Sequence, residues 1–566
     1  MAKASQQYKG PGRMIRRFIG ASPQSASGHA LLTSLCRQIA PGETPVDYAQ
    51  LENAFKERLK VATAEQPLVL FIDALDQLAA SDPAREVTWL PPELPPHVKV
   101  IVSTTAEVER LPEGVPVQLE RMAQSEGGQA LDELLRETRR ALQPWQRDMV
   151  LAHFERCGLP LYLKLAAEES RLWKSYAPKR ACTLGEGVAG VVDTLIDRLA
   201  SNANHGPVLV QRSLGYLAAA RYGLTEDEVL DVLTEDDTVW NDFDQRKHHE
   251  VSERRLPVVV WSRLSLDLEP YLTERAAPGG TVLTFYHRQL AERVAGRFLA
   301  GAELQARHSD LARHFGAKPA WLDEGRKAPD ARRAVELVFQ QRGARQWMEA
   351  EATLFDCQFL FAKVAAGMVL DLDPDYGGLL REAPESSLPR SFVLRLIPGA
   401  LRFLRPFFGG KTLLRSDALR LIHGAVQLSM HVVAQDPAQF ASQTVGRLLV
   451  HRGKPDVAKF VDGITAAAPR PWIRPLHPCL DAPGGALLRT LEGHSGQVHG
   501  VAVTPDGKRA VSASHDNTLK VWDLDSGLLI ATFHCNGSAR CCACADERRI
   551  VAGDWGGRVY FLVLEE

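Results

Sequence analysis

Short apolar runs alternate with helical stripes over the first 120 residues of this 566-residue chain. In two stretches the apolar residues recur every three or four positions, which is the spacing of one face of an α-helix. The first stripe is Leu31, Leu32, Leu35 and Ile39, with Ser27 as a candidate N-cap, and the second is Tyr48, Leu51, Phe55 and Leu59. The runs predicted to be strands are 13–20, 68–72, 98–103 and 115–119. Strand–helix–strand order predicts a parallel α/β sheet.

Leucines at helical spacing dominate the middle of the chain, from about residue 121 to 468. The pattern changes near 209–298, where helices precede two β-like runs, RLPVVVW (255–261) and TVLTFYH (281–287). Helices followed by a small hairpin indicate a winged-helix module. More helices follow, and then five prolines fall within seventeen residues at 469–485. That composition predicts a linker.

The tail carries alternating strands, a Gly-His pair, a P-D-G turn and a Trp-Asp ending, which is the signature of a WD-repeat propeller blade. The repeat predicts a hydrogen-bond relay in which His494 reaches Ser512 and Asp516, and Trp522 completes the set. A second repeat starts about 42 residues later but has lost the relay residues. Its corresponding positions hold Asn536, Ala552, Gly556 and Leu562. Because propellers have roughly four to eight blades, two repeats cannot close a ring.

Composition is that of a globular protein, with 45% hydrophobic and 24% charged residues and a formal net charge of −2. This charge argues against general nucleic-acid binding. No apolar run is long enough for a membrane span, and no signal peptide is evident, so we expect a cytoplasmic protein. The nine cysteines are interpreted as reduced thiols. Four of them cluster in the tail without paired C-x-x-C spacing, which favours small core residues over zinc ligands: Cys535, Cys541, Cys542 and Cys544.

The stretch LVLFIDALDQL (68–78) is typical of a buried strand that delivers a carboxylate to a magnesium ion. Together with the helical region, the winged helix and the WD tail, in that order, it resembles the STAND class of signalling ATPases. The NACHT-type members with C-terminal WD repeats look most similar. The resemblance implies that Asp73 holds magnesium and that Asp76 helps to position the attacking water.

Two further residues follow from the resemblance. Gly158-Leu159-Pro160 looks like the G-x-P motif of the family's helical lid, whose proline packs on adenine, and His287 looks like the winged-helix histidine that contacts phosphate. Both residues have ordinary alternative interpretations. Proline is common in the first turn of a helix, and a histidine beside an apolar strand is often a core side chain.

A phosphate-binding loop, G-x-x-x-x-G-K-[ST], is missing upstream of Asp73. We therefore expect an N-terminally truncated core that lacks its first strand, loop and helix. Two partial matches elsewhere in the chain do not supply this loop. The segment 405–412 ends in G-G-K-T but has Arg405 at the first glycine position, and the G-x-G-x-x-G match at 185–190 does not follow a strand.

The sequence thus predicts a multidomain protein with a truncated parallel α/β NTPase core, a long mainly α-helical region that includes a winged helix, and a C-terminal partial β-propeller. The expected domains are a core (1–120), a lid (121–200), a winged helix (201–305), a helical arm (306–468), a linker (469–486) and two WD repeats (487–566). We expect a signalling scaffold that binds proteins through the helical arm and WD repeats and self-associates. ATP or ADP and Mg²⁺ are implied by the family, and we expect weak or no binding and no hydrolysis.

Two alternatives stay open. The first is an ATP-dependent NACHT-type switch whose phosphate loop lies in a segment outside the given sequence. The second concerns the segment between Arg390 and Arg420, where seven cationic residues face the single acid Asp417 among several phenylalanines. This segment either binds nucleic acid or an anionic membrane surface, or forms the solvated face of packed helices.

Overall fold

The computed structural model describes residues 2–8, 10–19, 28–40, 48–75, 78, 84, 87–91, 93–104, 117–247, 251, 253–384, 416–484, 491, 493–494, 496–524 and 529–565. The chain forms two compact units. The first unit comprises Met1–Gly114 with Asp417–Glu566, and the second is Val115–Ser416. The predicted helical arm, 306–468, is therefore divided between the two units, and the other predicted boundaries stay predictions.

The first unit begins with a three-stranded parallel sheet in the order β1-β2-β3. Its elements are α1 (Ala2–Gln7), β1 (Arg13–Phe18), α2 (Gly28–Ile39), α3 (Tyr48–Leu59), β2 (Leu68–Asp73) and β3 (Val98–Val102). Seven side chains of the two helical stripes are buried in the core as predicted: Leu31, Leu32, Leu35, Ile39, Leu51, Phe55 and Leu59. Phe55 packs edge-to-face on Trp89, with ring centroids 5.6 Å apart. The central strand β2 is buried along almost its whole length.

The strand predicted at 115–119 is wrong where it can be checked. Residues 115 and 116 lie outside the described residues, and 117–119 form no strand. Val117 and Leu119 are exposed. A strand needs a neighbour for its backbone groups, and none of the described strands pairs with these residues.

The second unit starts with four helices and continues into the winged-helix module. The helices are α4 (Gln124–Glu137), α5 (Pro144–Cys157), α6 (Pro160–Ser170) and α7 (Gly187–Ala200). The module contains α8 (Pro207–Ala219), α9 (Glu226–Glu235), α10 (Asp237–Arg246), α11 (Val258–Leu268), β4 (Leu272–Ala277), β5 (Gly280–Phe285) and α12 (Arg288–Phe298). A single bridge from Leu224 to Leu283 adds a third, very short strand to the β4–β5 hairpin. Helices with a small hairpin are thus present as predicted.

One part of the hairpin prediction is wrong. The run 255–261 is not a strand, because α11 starts at Val258 directly after Pro257. Trp261, Leu264 and Leu268 are buried at spacings of three and four residues. The apolar face therefore has the helical period, and the first strand of the hairpin is β4 instead.

Five more helices lie in the described part of the second unit: α13 (Ala302–Ala317), α14 (Ala331–Gly343), α15 (Trp347–Phe355), α16 (Cys357–Ala365) and α17 (Leu372–Glu382). Their interior holds a fully buried ion pair. Lys363 Nζ lies 2.6 Å from Asp375 Oδ2 and donates to the carbonyl of Ala334 at 2.7 Å. Pairing and hydrogen bonding compensate the cost of burying these charges.

The rest of the first unit begins with α18 (Ser416–Gln435), α19 (Phe440–Leu448) and α20 (Pro455–Ala467). The predicted linker, 469–486, follows and contains no helix or strand among its described residues. It is nevertheless held on the preceding helices. Arg447 donates to the carbonyl of Asp481 at 3.1 Å, Ser442 donates to the carbonyl of Ile473 at 2.7 Å, and His451 Nε2 lies 2.6 Å from the carbonyl oxygen of Pro483. The segment is a strap on α18–α20 rather than a free tether.

The tail forms two antiparallel sheets that pack face to face. The first sheet has the order β6 (Val498–Val503), β7 (Arg509–Ser514), β8 (Thr518–Asp523) and β9 (Leu529–His534). The second contains β10 (Ala539–Cys544), β11 (Arg549–Asp554) and β12 (Val559–Val563). Their shared core includes Val511, Ala513, Leu519, Ile550 and Ala552. One propeller blade is thus complete, and a second has three described strands.

Among the described residues, no helix combines the length and the apolar character needed to cross a bilayer.

Candidate functional site

Asp73 ends β2 at the carboxyl edge of the parallel sheet, where ligands of open α/β sheets bind. Its Oδ1 accepts a hydrogen bond from the hydroxyl of Ser103, just after β3, and the Ala74 amide donates to that same hydroxyl oxygen at 2.8 Å. Ala74 has φ = +67°, so the chain turns sharply away after the aspartate. Asp76 lies outside the described residues. The neighbouring strand therefore orients the Asp73 carboxylate, and sequence reasoning did not identify Ser103.

The resemblance noted from the sequence implies Mg²⁺ and ATP at this edge, and the residues present fit them only in part. Mg²⁺ is usually held by one or two carboxylates together with substrate phosphates, and Asp73 supplies one such carboxylate. Within the described ranges, no three His, Cys, Asp or Glu side chains are grouped to hold a metal. A metal at Asp73 would therefore depend on phosphates, and the printed sequence contains no phosphate loop before β2 to hold them.

The Gly158-Leu159-Pro160 tripeptide connects two helices of the second unit. Gly158 ends α5 in the left-handed conformation, at φ = +60°, and its amide donates to the carbonyl of Phe154 at 2.7 Å. A Cβ at Gly158 would lie 2.7 Å from the Cβ of Arg121, so a side chain would not fit there. Pro160 is the first residue of α6 and is exposed. Gly158 therefore ends one helix and Pro160 begins the next, which is enough to explain the motif. Pro160 is also accessible to solvent.

His287 is the N-cap of α12, and its Nδ1 accepts a hydrogen bond from the Gln289 amide at 3.2 Å. Beside it, the ring of Tyr286 lies under the ammonium of Lys164, which is 4.2 Å from the ring centroid. Lys164 is one helical turn after Pro160 on α6. This contact joins α6, which starts at Pro160, to Tyr286, which directly precedes the N-cap His287 of α12. The sequence did not predict it. Asp73 belongs to the other compact unit.

Charged side chains fasten α7 to its neighbours in the same unit. Arg198 forms a two-point ion pair with the buried Glu169 of α6, and the Tyr271 hydroxyl donates to Glu169 at 2.7 Å. Arg293 of α12 donates through Nε to Asp193 of α7 at 2.9 Å. The helices after the Gly-Leu-Pro motif are thereby tied to the winged-helix module through hydrogen-bonded charges.

The predicted WD relay is present in the first blade. His494 Nδ1 lies 2.9 Å from Asp516 Oδ2, and its Nε2 lies 2.7 Å from the Ser512 hydroxyl. Trp522 donates through its indole N–H to the same hydroxyl at 2.7 Å. Thr518 is a further member that sequence reasoning missed, because its hydroxyl donates to Asp516 at 2.6 Å and lies 3.1 Å from His494 Nδ1. Each polar group is satisfied by another, so the relay serves folding.

A different relay replaces it in the second blade. The Asn536 amide donates to the Tyr560 hydroxyl at 3.0 Å, and that hydroxyl donates to Asp554 at 2.8 Å. The Arg558 amide donates to the other oxygen of Asp554 at 3.0 Å. The Arg558 amide and then the Tyr560 hydroxyl lower the pKa of the Asp554 carboxyl. The second repeat thus lacks the WD relay, as predicted, but it is not without a polar network.

Three further features of the sequence remain, which are the G-x-G-x-x-G match, the tail cysteines and the cationic segment. Gly185 and Gly190 are in tight contact, since a Cβ at Gly185 would lie 2.0 Å from the carbonyl oxygen of Gly190, so the G-x-G-x-x-G match is a packing feature before α7. Burial raises the pKa of the Cys542 thiol to about 11, which keeps it protonated at neutral pH. The segment 405–412 and most of the cationic segment 390–420 lie outside the described residues.

Comparison with known proteins supports this architecture. The TEP-1 C-terminal beta-propeller family matches residues 494–563. NACHT domain- and WD repeat-containing protein 1 of Homo sapiens is 28% identical over 91% of this chain and 37% of its own length. NACHT and WD repeat domain-containing protein 2 of Mus musculus is 30% identical over 56% of this chain and 19% of its own length. Telomerase protein component 1 of Rattus norvegicus is 25% identical over 38% of this chain and 9% of its own length.

The chain spans about a third or less of the length of these relatives. Among solved structures, the computationally designed Ika4 protein matches 13% of this chain and 46% of its own at 25% identity, with a TM-score of 0.12 that is too low to inform the fold. Along nine-tenths of its sequence, this chain is a homologue of the NACHT and WD repeat-containing proteins.

Proposed function

We propose that this chain is a signal-transduction scaffold of the NACHT and WD-repeat type, which binds other proteins through its helical and WD-repeat regions and does not switch with nucleotide. The observation that carries the proposal is the folded WD blade. Its relay from His494 to Ser512 and Trp522 is complete, and it does no chemistry. Blades of this kind present faces and edges to partners.

The second unit supports the same role. The Glu169–Arg198 ion pair and the Asp193–Arg293 contact hold α6, α7 and α12 to one another. A scaffold needs surfaces of fixed shape, because a rigid surface loses less conformational entropy when it binds a partner. These contacts supply such rigidity to the helices that follow Pro160 and His287.

Nucleotide binding is proposed to be weak or absent. A phosphate loop contributes several backbone N–H bonds and a lysine, each worth about 1.5–3 kcal/mol toward charged phosphates. The loss of four such bonds removes at least about 6 kcal/mol, which is roughly a ten-thousandfold loss of affinity. If ATP and Mg²⁺ do bind, Asp73 would hold the metal, Asp76 would orient water, Pro160 would pack on adenine and His287 would meet phosphate.

The alternative function is an ATP-dependent NACHT-type switch whose phosphate loop lies in a segment outside the given sequence. The observation that favours it is the geometry at Asp73, which keeps a carboxylate at the strand edge and orients it with Ser103. A chain extended to include such a loop would bind ATP through these residues. In that case turnover would depend on Asp73.

The experiment compares the 566-residue chain with its Asp73→Ala variant in ATP hydrolysis and in calorimetry with magnesium-ATP. A scaffold gives the same near-zero signal for both proteins. Binding or turnover by the 566-residue chain that disappears in the Asp73→Ala variant would contradict the proposal that this chain does not switch with nucleotide. An Asp546→Ala variant, which changes an exposed aspartate in a turn of the second blade, controls for nonspecific effects.

A further inference from the structure

One surface of the second unit is strongly basic, although the whole chain carries a formal net charge of only −2. Two stretches form it: 138–147, at the connection from α4 to α5, and 171–182, which follows α6. Together they contain seven cationic residues and no acidic residue. These residues define the basic patch: Arg139, Arg140, Arg147, Arg171, Lys174, Lys179 and Arg180.

Hydrogen bonds hold the two stretches against each other. Arg140 donates through Nε to the carbonyl of Arg171 at 2.9 Å and through a second nitrogen to the carbonyl of Trp173 at 3.2 Å. The buried side chain of Gln146 on α5 donates to the carbonyl of Lys174 at 3.2 Å. Side chains of one stretch thus fix the backbone of the other. A surface ordered in this way loses little conformational entropy when it binds a ligand.

Most cations of the basic patch are not neutralised by acidic side chains. Arg147 pairs with Asp132, and Arg171 pairs with Glu168. The other five are exposed and form no ion pair with any described residue: Arg139, Arg140, Lys174, Lys179 and Arg180. Because the fields of neighbouring like charges add, such a group attracts a ligand that carries several negative charges.

Aromatic rings lie among these cations. The ammonium of Lys174 lies 5.7 Å from the centroid of the Tyr176 ring. The ammonium of Lys179 lies 5.9 Å from the centroid of the Trp145 ring. Tyr176 is 80% exposed, so its ring is presented to solvent beside a positive charge instead of filling a core.

This combination of rings and cations favours one class of polyanion. The bases of single-stranded nucleic acid stack on aromatic side chains, and its phosphates contact lysine and arginine. A duplex keeps its bases stacked inside, so it would use the cations alone. An anionic membrane would also use the cations, but membrane insertion requires several exposed apolar side chains. Leu172, 48% exposed, is the one exposed large aliphatic residue of the two stretches, all of which the structure describes.

We propose that the basic patch binds single-stranded nucleic acid, with bases on Tyr176 and Trp145 and phosphates on the five unneutralised cations. The patch lies at the opposite end of α6 from Pro160, so it is separate from the position that the resemblance assigns to a nucleotide. This role goes beyond the proposed function and is independent of it. Stacking and phosphate contacts accept any base, so little sequence preference is expected.

The binding should depend strongly on salt. For a single strand, the logarithm of the binding constant falls by about 0.7 per contacted phosphate for each tenfold rise in salt concentration. Five contacted phosphates give a slope of about −3.5. A rise from about 50 to about 200 mM salt should therefore weaken binding about a hundredfold.

The experiment titrates the full 566-residue chain into a fluorescent oligouridylate of about twelve nucleotides and follows its anisotropy at several salt concentrations. Tyr176→Ala should weaken binding about tenfold because one stacked base is lost. Tyr176→Phe keeps the ring and should bind like the wild type. The effect of Tyr176→Ala should be absent with a duplex of the same length, which cannot stack its bases on the ring.

The cations are tested by the double variant Lys179→Gln/Arg180→Gln. Its salt slope should change from about −3.5 to about −2, because two phosphate contacts are lost. The matched control is Arg326→Gln/Lys327→Gln, which removes an adjacent pair of exposed cations elsewhere in the same unit. It should leave the affinity and the slope almost unchanged. Circular dichroism checks that all variants fold.

Several results would overturn the proposal. One is a wild-type chain that does not bind the oligouridylate at about 50 mM salt. Another is binding that Tyr176→Ala and Lys179→Gln/Arg180→Gln both leave intact. Competition by polyglutamate as strong as by unlabelled oligouridylate would show recognition of charge alone, and binding only to phosphatidylserine vesicles would show a membrane surface. None of these results would affect the proposed function, which fails on the ATP measurements instead.

Discussion

Glu169 of α6 and Arg198 of α7 form a two-point ion pair in which both nitrogen–oxygen distances are 2.9 Å. Glu169 is buried and also accepts the Tyr271 hydroxyl, so one carboxylate ties α6 and α7 to the start of the β4–β5 hairpin. The stability of this part of the second unit therefore depends on a single buried charge.

Replacement of Glu169 tests this dependence. Glu169→Gln removes the charge that pairs with Arg198, and we expect a local loss of about 1.5–3 kcal/mol because the hydrogen bonds to a charged group are lost. Amide hydrogen exchange in the full chain should show faster exchange in α6 and α7. Glu168→Gln is the matched control on the same helix, since its ion pair with Arg171 is more exposed and is worth at most about 0.5 kcal/mol. Equal amide exchange in Glu169→Gln and Glu168→Gln would contradict the stabilising role of Glu169.

The WD relay predicts a strong effect at His494. His494→Ala removes the hydrogen bonds to Asp516 and Ser512 and leaves their buried oxygens with fewer partners, at a cost of about 2–4 kcal/mol. Exchange of the amides in β6–β9 should accelerate strongly. His515→Ala is the control, because His515 belongs to the same blade but is exposed and makes one hydrogen bond, to Ser538. If the amides of β6–β9 exchange at the same rate in both variants, the relay does not stabilise the blade.

The second relay predicts an acid-dependent blade. The Arg558 amide and the Tyr560 hydroxyl lower the pKa of Asp554 in the folded state. The charged Asp554 carboxylate therefore stabilises the fold. This stabilisation is fully present above the pKa of an ordinary carboxyl, near pH 4, and is lost as the pH falls toward the lower pKa that Asp554 has in the folded state. Tyr560→Phe should raise the pKa of Asp554 and reduce this acid dependence.

Carbon-detected NMR titration of the aspartate carboxyls measures the effect directly. Asp546 is the internal control, because the Arg548 and Arg549 amides lower its pKa to about 2 without any contact to Tyr560. Its titration should be unchanged in Tyr560→Phe. An unchanged Asp554 titration would show that the hydroxyl does not hold the carboxylate.

The strap comprises the described residues, 469–484, of the segment that the sequence predicts to be a linker (469–486). Arg447 holds it through the carbonyl of Asp481, so Arg447→Ala should speed chymotryptic cleavage after Trp472 severalfold. Arg452→Ala is the control, since Arg452 pairs with Asp462 on the surface instead. Rapid chymotryptic cleavage of the wild-type chain after Trp472 would show that these contacts do not protect the strap.

The spacing of residues along the chain predicts which side chains are buried. It does not predict which side chains face each other across neighbouring strands. Local spacing is enough to predict the buried residues of α2 and α3 and the hydrogen bonds of His494. Both are present in the structure. Thr518 and the Tyr560–Asp554 pair depend on which residues face each other across strands, and the WD pattern does not specify that. The run 255–261 was misassigned because an apolar run of this length is equally compatible with a strand and with a helix.

We propose that the chain acts through protein contacts and not through nucleotide. Calorimetry of the 566-residue chain with magnesium-ATP tests this proposal. We expect no heat of binding at micromolar concentrations, and the same result for Asp73→Ala. A micromolar dissociation constant that is lost in Asp73→Ala would contradict it.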